Sequence, residues 1–209
     1  MSYFKTLLIG LYLAAGLAAA QADENSLRYE VQRNGKTIGT HEVEFERHGG
    51  RLTVEIETDV AVKIAFLTVY RFEHEAREEW QNGKLIAYQS TSEDNGTDKF
   101  LNVSFANTAY SVDGSSGRFE AQSLALPASL WRPDTVSQSR LMNTLDGHEM
   151  KVAVKNIGPD TITVGGKEIT ATHFSMTGDL QRELWYAEGR LVHLRFLGED
   201  GSTIDYYLR

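Results

Sequence analysis

A chain of 209 residues without a single cysteine must hold itself together by burial alone, since neither a disulfide nor a thiol-linked lipid is open to it. Its 29 acidic residues outweigh its 21 basic ones, for a net charge of −8 with the six histidines neutral. Such a surface repels polyphosphate and anionic head groups, which excludes nucleic acid as a partner.

Residues 1–22 read as a secretory leader, with Lys5 near the front, an apolar stretch from Leu7 to Ala19, and small residues flanking Gln21 in Ala20-Gln21-Ala22. The apolar stretch is shorter than the ~20 residues that cross a bilayer, so cleavage after Ala22 is expected and no membrane span should remain. The product would be one periplasmic domain over 23–209. Lys5 is the leader's only charge, so the mature chain would carry a net charge of −9. Without staples, a domain of this size buries roughly 70% of its unfolded surface.

From Leu27 onward the punctuation is that of an antiparallel β protein. Leu27 to Gln32 runs into Asn34-Gly35 and out into Ile38 to Glu46, and Gly49-Gly50 turns again into Arg51 to Asp59, where Leu52, Val54 and Ile56 alternate with polar residues. Tyr70, Phe72, His74, Ala76, Glu78 and Trp80 then alternate with charged residues before Asn82-Gly83, the pair best able to hold the positive φ angles of a tight hairpin. On a helix, His74, Glu75 and Glu78 would spell a shortened zinc-protease-like pattern. The period of two and the immediate turn favour a strand, on which His74 and Glu78 share a face about 13 Å apart, too far to ligate one ion.

Leu85 to Ser92 pairs back, Asp94-Asn95-Gly96 turns, Phe100 to Phe105 resumes the alternation, and Tyr110 to Phe119 forms a short hairpin around Asp113-Gly114. The composition changes at Leu124, where two of the chain's three prolines, Pro127 and Pro133, bracket Trp131. Asp134 is placed to cap a helix over Thr135 to Leu145, ended by Gly147. Strands return over Glu149 to Asn156, Thr161 to Val164, Lys167 to Met176, Leu180 to Ala187, Arg190 to Leu197 and Thr203 to Leu208. The fold class is therefore mainly β, an antiparallel curved sheet or partly open barrel with one short helix. An internal echo links Arg77-Glu78-Glu79-Trp80 and Gly83 with Arg182-Glu183-Leu184-Trp185 and Gly189, with one extra residue in the second turn.

The histidines at 41, 48, 74, 148, 173 and 193 show no ligand spacing, no Gly-x-Ser-x-Gly elbow is present, and phosphate loops and dinucleotide fingerprints are absent. No metal, cofactor or catalytic residue is assigned. The apolar run Ile64, Ala65, Phe66, Leu67 and Val69 exceeds a one-sided strand pattern. It fits either a strand covered on both faces by the helix or the lining of an apolar pocket.

Taken together, Tyr70, Glu73-His74, Arg77-Glu78, Trp80, Gly83 and Leu85, then Thr91, Asp94-Asn95-Gly96, Ser129, Trp131, Thr177-Gly178, Leu180 and Leu184-Trp185-Tyr186 resemble a family of exported bacterial proteins known only as a domain of unknown function. The resemblance covers nearly all of the mature chain and implies export and a β fold, with no catalytic residues. More distantly, the layout is similar to periplasmic half-barrels of the lipoprotein-carrier type, which hold acyl chains on a concave face. The favoured reading is a non-catalytic cell-envelope protein holding a lipid or other apolar small molecule, with Phe66, Trp80, Trp131, Trp185, His74 and Glu78 at the ligand. One alternative is a structural module that binds an envelope protein. The other is a hydrolase with a buried acid or base at His74 and Glu78.

Overall fold

The computed structural model describes residues 25–209, so the leader expected at 1–22 lies outside the described residues. β1 (Ser26–Arg33), β2 (Lys36–His48), β3 (Arg51–Ile64), β4 (Leu67–Gln81), β5 (Lys84–Asp94), β6 (Thr97–Ala106), β7 (Ala109–Gly114) and β8 (Gly117–Ala121) form one antiparallel meander. β9 (Leu126–Pro127), β10 (Arg140–Met142), β11 (Glu149–Val164), β12 (Lys167–Gly178), β13 (Arg182–Ala187), β14 (Arg190–Leu197) and β15 (Thr203–Leu208) form a second, parallel only where β9 meets β10. Antiparallel pairing of β1 with β15 joins the two into one 15-stranded sheet with β8 and β9 at its edges.

That order dictates the shape. A flat sheet of this many strands would be roughly 65 Å wide. Its two edges are nevertheless linked by residues 122–125 alone, a connection that reaches at most about 18 Å. The sheet must curl back toward itself into an open, unclosed shell. Its turns are the ones the sequence announces: Asn34-Gly35, Asn82-Gly83 and Asn95-Gly96 hold φ pairs of 49° and 75°, 50° and 79°, and 48° and 89°, which match the right-handed twist of the strands they join.

Two expectations are corrected. The turn expected at Asp113-Gly114 falls at Ser115-Ser116, between β7 and β8. Gly114 instead ends β7 against the backbone of the loop after β10, where an added Cβ would stand 2.4 Å from the Asp146 carbonyl oxygen. The Ser116 hydroxyl donates to that same carbonyl at 2.6 Å, so the two halves of the shell touch here.

The helix expected over Thr135 to Leu145 is also absent. In its place stand a five-residue 3-10 turn, Pro133–Ser137, and the strand β10. A helix of that length is marginal without tertiary support, and Thr135, Val136, Ser137 and Ser139 are weak formers. The competing geometry wins: Leu141 pairs with Met150 on β11, and Asn143 and Gly147 close the loop between the strands rather than end a helix. No helix among the described residues is long and apolar enough to cross a membrane.

The concave face is filled. Period-two positions of both meanders, among them Tyr29, Val43, Val54, Trp80, Tyr88, Leu101, Val112, Leu184 and Tyr186, form one buried cluster. The segment 124–142, which carries the short strands β9 and β10, runs through it as a plug, contributing buried Leu130, Leu141 and Met142 and the packed side chains of Leu126, Trp131 and Val136. Two hydroxyls pin the loop that follows, Tyr88 and Ser90 donating to the Thr144 carbonyl at 3.1 and 2.7 Å.

Candidate functional site

The inner face of β4 presents His74, Ala76, Glu78 and Trp80 in succession, as its alternation requires. Glu78 is 0% exposed. Its Oε2 accepts two indole N–H bonds, from Trp80 at 2.8 Å and from Trp131 of the plug at 3.0 Å. Phe45 of β2 meets the Trp131 ring at 5.3 Å edge-on, and the Arg132 guanidinium lies 4.2 Å above the Trp80 ring while chelating Asp134 at 2.5 and 2.6 Å. Ser129 is the polar neighbour of the other oxygen, yet neither Glu78 Oε1 nor the Ser129 hydroxyl makes a hydrogen bond of good geometry. Burial raises the Glu78 carboxyl above the usual range, opposed by the indole donors and by Arg132. Chemically this is a pin that fixes the plug to the sheet, a buried carboxyl whose hydrogen bonds go to two indoles, one of β4 and one of the plug.

The six candidate residues thus separate. Glu78, Trp80 and Trp131 come together, and the other three go to three different places. His74 remains four residues from Glu78, where its Nδ1 meets the Ser92 hydroxyl at 2.8 Å and its ring stacks on Phe72. Burial lowers it to about 4. His41, which the sequence did not single out, sits two strands away on the same rung, bonded to Thr58 at 2.8 Å and lowered to about 4 by burial and then by His74. Its signal was the parity of β2, readable only once the register across β3 is known. His74 and Glu78, the buried acid or base of the hydrolase alternative, thus stand on separate rungs, each with its own partners.

Trp185 lies on the opposite face of the sheet. Its ring is sandwiched between His173 and His193, each at 4.3 Å, and His193 stacks in turn on Tyr207 at 4.4 Å, a ladder along the register of β12 to β15. Its indole donates to Asp160 at 2.8 Å, and His193 Nε2 meets Asp205, itself held by Arg195 at 2.7 Å. Phe66 stands at the β3–β4 turn, 92% exposed. The run Ile64 to Val69 is therefore neither covered on both faces nor part of a pocket, because the helix expected to cover it does not form.

The outer face of β2 to β6 holds an open groove of about 510 Å³ lined by Glu42, Glu44, Glu55, Glu57, Glu75 and Arg77, among others. Glu42, Glu57 and Glu75 stand directly opposite one another across three strands, as do Asp59, Glu73, Glu93 and Asp98 across four. Like charges so placed repel. Among the described residues, no group of three or more histidine or carboxylate side chains is arranged to hold a metal.

Residues 29–209 match a family described as a domain of unknown function, DUF6134. The chain belongs to that family. Among solved structures, this DUF6134 chain is similar to a β-barrel-like protein of another domain of unknown function, DUF1849, from Brucella abortus, with a TM-score of 0.61 at 7% identity over 88% of this chain and 95% of that one. At that identity the likeness is one of fold alone. No curated protein matches the DUF6134 chain, and neither match supports the likeness to lipoprotein-carrier half-barrels.

Proposed function

We propose that this DUF6134 protein is a non-catalytic protein of the cell envelope, exported with cleavage after Ala22, that works as an interaction module through its outer surface. The observation that carries this reading is the filled concave face: Leu130, Leu141 and Met142 lie where an acyl chain would have to lie. Interiors packed to protein density leave no volume for such a guest. What remains available is outside, in the acidic face of β2 to β6 and the apolar end of the β3–β4 hairpin.

The test is native mass spectrometry of the protein recovered from the envelope, with N-terminal sequencing of the same sample. Ligand-free mass and a chain starting at Asp23 are expected. A stoichiometric lipid that is lost in Leu130→Asp with the fold kept would return the carrier reading, and an intact Met1 would remove export.

A further inference from the structure

Nine large hydrophobic residues are exposed among those described, and five of them, Ile64, Phe66, Leu67, Val69 and Tyr70, fall within one stretch of seven. The other four are isolated along the chain, which is ordinary for a soluble surface. The stretch is the end of a ribbon that outruns the sheet. Pairing of β3 with β2 stops at Val60, and pairing of β4 with β5 begins only at Phe72, so 61–71 have no strand on either flank. At ~3.3 Å per residue the ribbon stands about 16 Å beyond its last neighbours. Ile64 and Leu67 oppose each other on its final rung, Phe66 is at the turn, and Val69 is at a bulge, with exposures of 66%, 64%, 92% and 47%.

From this geometry we infer that the β3–β4 tip inserts into the surface of a zwitterionic phospholipid bilayer. The inference rests on the outer-surface reading above and names the partner of one of its two regions. A convex tip with apolar side chains at its turn, last rung and bulge cannot be covered by a flat protein face, and a second copy would bring only a few more side chains where a specific interface uses ~20–30 residues a side. A soft apolar phase can surround it. The depth fits: the four apolar residues occupy roughly the last 10 Å, the depth to which interfacial elements sink below the head groups. The backbone does not oppose entry, because rungs Ile64–Leu67, Lys63–Thr68 and Val62–Tyr70 are paired within the ribbon.

The flanks set the stop and the lipid class. Tyr70 marks the boundary, its hydroxyl donating to Asp94 at 2.9 Å while its ring stays partly exposed, and Lys63 is long enough to reach back to the head groups. Next comes the acidic rung Asp59, Glu73, Glu93 and Asp98, relieved in part by Arg71, which pairs with Glu73 and also feels Asp59 and Glu93. A collar of that sign halts insertion and repels anionic lipid.

The experiment is flotation of the mature protein with vesicles of pure phosphatidylcholine, beside a Phe66→Trp variant read with brominated phosphatidylcholine. Flotation is expected, with quenching of the new indole alone, since the native tryptophans are buried or half-buried. The triple change Ile64→Ser, Phe66→Ser, Leu67→Ser should cut partitioning by about tenfold or more. Replacing half the lipid by phosphatidylglycerol should weaken binding at low salt. Absence of flotation, equal flotation of the triple variant, a preference for phosphatidylglycerol, or a dimer that the triple change dissolves would each overturn the inference. None of these results bears on the filled interior, which falls only to a bound lipid in the native mass spectrum.

Discussion

The two longest hairpins of the shell use the same device to opposite ends. The β11–β12 hairpin also outruns its neighbours, since β12 pairs with β13 only over Thr172 to Met176. Its overhang is bent by a bulge between Asn156 and Gly158, where Gly158 takes φ 116°, and Ile162, Val164 and Ile169 pack against Trp185, Val192 and Ala171 on the outer face. The β3–β4 overhang carries a comparable apolar set with no such cushion. An overhanging ribbon buries its apolar side chains when the chain supplies a mate and the bend to reach it. The β3–β4 overhang has a bulge of its own at Val69 but no mate within reach, and its apolar side chains stay exposed.

Removing the mate should make the second hairpin resemble the first. Trp185→Ala deletes the centre of the satellite cluster and one of the two inner rings of the His173–Trp185–His193–Tyr207 ladder. A buried aromatic truncated to Ala costs about 3–5 kcal/mol, the largest effect foreseen here, and it should appear in a denaturant melt. Hydrogen exchange should show amides 159–171 losing protection well before those of β13. If the overhang keeps its protection, then Trp185 is not what holds it down.

Much of this was legible in the sequence, and the failures have a common cause. The Asn-Gly and Gly-Gly turns and the alternation between them gave the meanders, because hairpin chemistry is local. The echo of Trp80 by Trp185 misled. Both hairpins carry a bulge two rungs before the turn, with Trp80 opposite Leu85 and Tyr186, not Trp185, opposite Leu191. The one extra residue shifts parity and sends Trp185 to the outer face, as any one-residue slip must. Tyr186 is the true counterpart of Trp80, and both hold the plug, Tyr186 by donating to the Leu130 carbonyl at 2.7 Å. The plug itself has no periodicity to read. Glu78 and Tyr186, distant in sequence, decide its path.

The inner and outer faces can also be separated by pH. Because burial raises the Glu78 carboxyl, the unfolded chain gives up a proton near the ordinary glutamate value of about 4.3 while the folded chain keeps it. The stability this proton confers is complete below about 4.3 and is lost as pH climbs through the raised folded value. Glu78→Gln keeps an acceptor for both indoles and removes the titration. The variant should therefore gain on the wild type as pH rises through that window, read as the difference between paired thermal melts. The wild-type curve alone would mislead. His41 and His74, both lowered to about 4, work in the opposite direction, since the unfolded chain takes up their protons below about 6.5 and costs the fold stability as pH falls. A constant difference from pH 4 upward would mean that Glu78 titrates as an exposed glutamate does.

The smallest effect belongs to the uncovered tip, and its smallness is the point. Phe66 is 92% exposed at a turn whose strain falls on Ala65, at φ 54°. Phe66→Ser therefore removes a ring that touches almost nothing in the free protein and leaves the positive-φ residue in place. A surface change of this kind stays within about 0.5 kcal/mol, against the several expected at Trp185. Chemical denaturation of the two variants side by side measures the contrast. A loss of 2 kcal/mol or more at Phe66 would show that the tip is covered in solution, by the chain or by another copy, and the distinction between the two hairpins would collapse. A near-zero loss means that the apolar end contributes nothing to folding and stands free to meet a surface outside the chain.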